Sequence, residues 1–139
     1  MKRAYPVFLT ISLVLFFSCK KYVQQQEKKA ALAVITDGFW YVSGYQENGV
    51  NITASFSGYL FKFDANSTVT GTKNSVSTAG VWSVDLVSQS ITTNFPAAND
   101  TLKKLNETWK ITDSYTDSVS AVSNDTIIHT SNILQLRKQ

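Results

Sequence analysis

The sequence has a single histidine, His129, and ten carboxylates, and these side chains bound any acid–base or metal chemistry. Along Thr126 to Leu136, alternation sets Ile128, Leu134 and Leu136 on one face of a strand. His129 then shares the opposite face with Gln135, which makes it a solvent-facing or rim histidine. A zinc centre needs several His, Cys or carboxylate ligands converging, and one histidine with one cysteine is too few. Asp113, Asp117 and Asp125 lack the alternating loop spacing of a calcium site. Nine acids from Thr36 onward leave a glycosidase-type carboxylate pair arithmetically open. Most of them, however, sit beside turn residues, where Asp and Asn serve the backbone. The expectation is a non-enzyme with no metal and no cofactor.

Cys19 is the sole cysteine, so it has no internal disulfide partner. Before it stand Lys2 and Arg3, then an apolar run from Val7 to Phe17 broken only by Thr10 and Ser12, then Ser18. A membrane-spanning helix takes roughly 20 apolar residues, so this shorter run fits the core of a signal peptide. Leu15-Phe16-Phe17-Ser18-Cys19 resembles a loose lipobox, the processing motif of bacterial lipoproteins. The alternative is an ordinary signal peptide or anchor that happens to contain a cysteine. The expected organisation is a signal peptide over 1–18, a lipidated tether over 19–35 and a domain over 36–139. The three acyl chains that such processing implies would hold the protein to a membrane, where one chain alone binds marginally. Lys20 is not the aspartate associated with inner-membrane retention, and Lys20-Lys21 is the reverse of an acidic surface-export run. The expected location is the outer membrane, facing the periplasm.

Thirteen basic and ten acidic residues give the chain a net charge of +3. Between Thr36 and Leu136 five basic residues stand against nine acidic ones, a net of −4. The basic surplus thus lies outside the domain, which argues against nucleic acid as a partner. Lys20, Lys21, Lys28 and Lys29 suit anionic head groups, or simply keep a linker soluble. Five Asn-x-Thr/Ser matches follow from a Ser/Thr/Asn-rich composition. Asp100-Thr101-Leu102, Asp117-Ser118-Val119 and Asp125-Thr126-Ile127 resemble the short O-glycan acceptor of exported Bacteroidetes proteins, at Thr101, Ser118 and Thr126.

From Gly38 onward, β-branched and aromatic residues alternate, with turn residues every eight to twelve positions, the mark of an all-β sandwich or barrel. The expected strands are Phe39 to Gln46, Tyr59 to Asp64, Thr68 to Lys73, Gly80 to Leu86 and Ser90 to Phe95. A short helix follows over Asp100 to Asn106, with Asp100 as its cap. Glu107 to Tyr115, Ser118 to Ser123 and Thr126 to Leu136 complete eight strands. Short connections make neighbours antiparallel, and closing the meander into a barrel abolishes its edges. An open sandwich is the alternative. The expected interior is Trp40, Phe61, Phe63, Trp82, Ile91, Phe95, Trp109 and Ile111.

Gly38-Phe39-Trp40, the segments Thr53 to Gly58 and Tyr59 to Asp64, Gly80-Val81-Trp82-Ser83, and Leu105-Asn106 with Trp109-Lys110-Ile111 follow one another in family order. Together they resemble the lipocalin-like domains of Bacteroidetes lipoproteins, over residues 37 to 136. The resemblance implies an up-and-down eight-stranded barrel with no known chemistry. It also implies that Gly38 and Trp40 build the barrel floor, with Trp40 beneath a basic side chain near the chain's end. Arg137 is the candidate for that cation, or else part of a frayed terminus. Two functions compete: binding of a small apolar or amphipathic ligand at the barrel mouth, or contact with an envelope protein or glycan by a filled barrel. An exposed aromatic patch around Tyr41 and Tyr45 would favour the second.

Overall fold

A computed structural model describes residues 23, 25–125 and 129–139. The chain divides into two compact units, 1–33 and 34–139. In the first, residues 25–33 are helical, as their Gln, Lys and Ala content favours. The second holds nine strands among the described residues: β1 Trp40–Glu47, β2 Val50–Asn51, β3 Leu60–Phe63, β4 Thr68–Lys73, β5 Val76–Asp85, β6 Ser90–Asn94, β7 Thr108–Ser114, β8 Ser118–Asp125 and β9 Thr130–Lys138. Eight of them, all but β2, form one antiparallel ring in sequential order. β9 closes it against β1, from Trp40 opposite Lys138 to Glu47 opposite Asn132. The barrel expected from the sequence is the fold, and the open sandwich is not.

Two tight turns explain where the strands depart from their expected bounds. Asn48 and Gly49 both have positive φ, so the chain folds back at once and β2 pairs Asn51 with Gln46. Asn74 and Ser75 do the same (φ 50° and 64°), pairing Val76 with Lys73. Val76 to Ala79, with the composition of a Ser/Thr loop, is therefore the start of β5 rather than a connection.

A third departure is a bulge. The register against β9 shifts between Val42 and Gly44. Trp40 and Val42 face in and Tyr41 faces out, but after the bulge Tyr45 faces in and is 1% exposed. The aromatic patch around Tyr41 and Tyr45 that would favour a contact function therefore does not form; of the two, Tyr41 alone is at the surface. At the other end of the chain, His129 lies in a turn with φ 51°, one residue before β9, rather than inside a strand. Leu134 and Leu136 point inward as expected, while Ile128 lies outside the described residues.

The short helix α1, Asp100–Lys103, is capped by Asn99, whose Oδ1 accepts the Leu102 N–H at 2.9 Å. Asp100, the cap expected from the sequence, sits one residue inside the first turn, where its charge still suits the helix N-terminus. Leu102 and Leu105 are buried, so the segment closes over one end of the barrel. Two strand glycines make room inside. A Cβ on Gly71 would crowd Phe61 and Leu102, and one on Gly80 would lie 2.6 Å from Asn94 O and 2.8 Å from the Phe95 ring.

Rings fill the remaining interior. Trp40, Phe61, Phe63, Trp82 and Trp109 are all buried, as expected. Tyr45 stacks on Phe56 at 4.9 Å, and Phe63 meets Trp82 edge-on at 5.4 Å. Such pairs contribute about 0.5–1.5 kcal/mol each beyond their buried area. Among the described residues, no helix is long and apolar enough to cross a membrane.

Candidate functional site

The barrel has two ends of different character. At one, the chain enters through Val34 to Gly38 and leaves at Lys138 and Gln139; this is the tether end. Gly38 adopts φ +72° with open space around it, so backbone conformation and not crowding favours glycine there. Trp40 follows, and its Nε1–H donates to Ile35 O at 2.9 Å. Lys138 Nζ lies 5.3 Å from the Trp40 ring centroid and pairs with Asp37 Oδ2 at 3.1 Å. The cation above the indole is thus Lys138, not Arg137. Strand alternation is the reason: Leu134, Leu136 and Lys138 share the inner side of β9, while Arg137 is exposed beside Tyr41.

That assignment gives a sharp contrast. Lys138→Ala is expected to lose about 0.5–2 kcal/mol, the range of a cation over an aromatic face. Arg137→Ala should stay within roughly 0.5 kcal/mol of wild type. Urea titrations of the two variants decide it, and equal losses would remove the sealing role from Lys138.

The other end, closed by α1, is held by polar contacts. Tyr45 Oη donates to Lys104 O at 2.7 Å, and Lys104 Nζ pairs with Glu47 at 2.8 Å. Leu105 O accepts both the Trp109 indole N–H and the Thr93 hydroxyl. Glu107 accepts from Ser123 Oγ and from Asn132 Nδ2, the latter at 3.0 Å. Burial, then the Glu107 and Glu47 carboxylates, push the Tyr45 phenol well above its ordinary value of 10.0. Its contribution to stability is therefore whole below about pH 10 and is lost as pH rises beyond it, because only the unfolded chain releases the proton. Wild-type stability should fall more steeply above about pH 10 than that of Tyr45→Phe. Parallel pH profiles would show that this phenol is not the responsible group.

Between the two ends lies an apolar cavity of about 40 Å³. Phe61, Phe63, Phe95, Trp109 and Leu134 form buried parts of its wall. Thr93 is the one lining residue with a side-chain hydroxyl, and that group is already bound to Leu105 O. Four lining residues, Ile91, Ile111, Val119 and Leu136, are only half-buried. They share one end, for Leu136 pairs with Val119, Val119 with Ser114, and Ile111 N–H binds Gln89 O. The cavity therefore approaches solvent at the tether end, between the turns 86–89 and 115–117, so it opens at the same end as Trp40 and Lys138 and not opposite the floor that Gly38 and Trp40 were expected to build.

Of the other residues singled out in the sequence, Cys19 and Thr126 lie outside the described residues. Thr101 and Ser118 are half-buried, one in the first turn of α1 and one opening β8. Among the described residues, no three His, Cys, Asp or Glu side chains are grouped to hold a metal. The bulge at Val42–Gly44 and the roles of Asn99 and Lys138 escaped sequence reasoning. For Lys138 the signal was present, since it lies in phase with Leu134 and Leu136.

The sequence matches no family model and none of the curated proteins. The chain is similar to a crystal structure of a DUF4847 family protein from Bacteroides vulgatus, with a TM-score of 0.57 and 16% identity. The match covers 78% of this chain and 99% of that one. At that identity the likeness shows a shared fold and carries no activity across.

Proposed function

We propose that this chain is a non-catalytic lipoprotein of the bacterial cell envelope, held by lipid on Cys19 at the outer membrane and facing the periplasm. Its lipocalin-like barrel acts as a filled scaffold whose outer faces and loops contact another envelope protein or glycan. The cavity, and not an aromatic patch at Tyr41 and Tyr45, carries this reading. Ligand pockets of roughly 300–1,000 Å³ are the rule, and an engineered apolar cavity of roughly 150 Å³ binds molecules the size of benzene or xenon. About 40 Å³ is far below either. A lining whose one hydroxyl is already hydrogen-bonded supports the absence of chemistry inside. The apolar run ending at Ser18-Cys19 supports the anchor.

A second reading rests on the half-buried apolar opening beside Ile91, Ile111, Val119 and Leu136. There the tip of a small apolar or amphipathic ligand would lodge, with mouth side chains rotating to admit it. Native mass spectrometry of the full protein, purified from its own host in mild detergent, separates the two. The expected spectrum is the lipid-modified chain with nothing else attached. A retained small molecule would transfer the function to the second reading.

A further inference from the structure

The tether end is unlike the helix end in what it shows to solvent. Phe39, just before β1, is 50% exposed. Val87, in the turn after β5, is 88% exposed, and Tyr115, in the turn after β7, is 64% exposed. Backbone contacts run along this rim: Gln139 N–H binds Phe39 O, Lys138 N–H binds Asp117 O, and Tyr115 N–H binds Ser118 O. Asp85 Oδ1 accepts the Val87 and Ser88 N–H groups and so fixes the turn that presents Val87. Within this rim opens the apolar mouth of the cavity. Val50 and Val76 are also exposed, at the opposite end, but there Leu102 and Leu105 close the barrel beneath them.

We propose that the tether end of the barrel lies against the lipid bilayer, with Phe39, Val87 and Tyr115 at the boundary between head groups and hydrocarbon. The proposal rests on the reading of Cys19 as lipidated. Fifteen positions separate Cys19 from Val34. They reach about 22 Å as helix and roughly 50 Å fully extended. β1 alone, with eight residues, is about 26 Å long. With the anchor in the membrane, the end the chain enters is the end held toward it; the reverse orientation would make the chain run back along the whole barrel. The rim's chemistry agrees. Aromatic rings with a polar tip or a cationic neighbour suit the interface, and Lys62 Nζ stands 6.0 Å from the Phe39 ring centroid. Asp37, Asp64, Asp85, Asp113 and Asp117 at this end outnumber Lys62, Arg137 and Lys138. The surface it fits is therefore mainly zwitterionic, not strongly anionic.

The test uses the full lipidated chain in vesicles of phosphatidylethanolamine with a minor fraction of phosphatidylglycerol. Val87→Cys and Tyr115→Cys, with Val50→Cys and Val76→Cys from the far end, each take one environment-sensitive fluorophore, the Cys19 thiol being occupied by lipid. Iodide should quench the probes at 87 and 115 several-fold less than those at 50 and 76. Equal quenching at all four overturns the docked orientation. Flotation of the same samples reads the anchor separately: a chain that floats with equal quenching loses the docking alone, and one that stays behind loses both. Protection that grows with the protein-to-lipid ratio assigns the rim to contact between copies and also overturns the proposal.

Discussion

Trp40→Ala is expected to destabilise the barrel by about 3–5 kcal/mol, the usual cost of truncating a buried tryptophan. The urea midpoint should drop by roughly 2 M, given the typical dependence of stability on denaturant. Three separate losses meet at this residue. The indole is 1% exposed, so its removal leaves a void rather than a dent. Its N–H holds Ile35 O and its face carries Lys138, so the entering and leaving ends of the chain lose a common support. Its backbone pairs with Lys138 on one side and with Phe61 on the other, the single register pair joining β1 to β3. Tyr41→Ala is the control: the neighbouring residue faces out, and its loss should stay within roughly 0.5 kcal/mol. Similar midpoints for the two variants would refute the inward assignment of Trp40.

Cys19→Ala should move the protein from the membrane to the soluble fraction, or leave an uncleaved precursor. On the proposed lipidation the effect is all-or-none, because acyl chains on Cys19 would supply nearly all of the attachment. Each buried methylene contributes about 0.8 kcal/mol, and several chains make release negligible. Fractionation with mass measurement reads both results. Normal processing followed by tight membrane binding of the alanine variant would exclude lipid on Cys19 as the anchor. The rim at Phe39, Val87 and Tyr115 then could not be reading its orientation from that tether.

The barrel was legible in the sequence because its strands are half-buried on a fixed period. Tyr59, Phe61 and Phe63 alternate without interruption, and Thr68 to Lys73 coincides with β4 to the residue. What stayed hidden depends on events that alternation does not encode. The bulge after Val42 inserts one residue and turns Tyr45 from surface to core. Asn74-Ser75 makes a two-residue turn without the glycine that usually marks one, so four residues of β5 read as loop. The cap of α1 fell to Asn99 because its side chain bridges Leu102 N–H and Tyr59 Oη, a tertiary contact outside any local pattern. The candidate site was less legible still. Ring volumes in the sequence indicated a crowded interior, but the cavity's opening is set by the register of β7, β8 and β9 at their ends.

The ring closure of β9 on β1 has a consequence for how this protein reaches its native state. Residues from the first strand and the last must meet, from Glu47 with Asn132 to Trp40 with Lys138. A chain emerging N-terminus first, from a ribosome or an export channel, cannot complete that pairing until Lys138 is free. Until then β1 has a bare edge toward the missing strand, and so does β8. Contacts this distant in sequence slow folding, and unpaired edges are templates for strands of other chains. Loss of residues 130–139 by a nick or a premature stop would make that transient exposure permanent. The barrel's protection against aggregation thus resides in its final strand and arrives last in time.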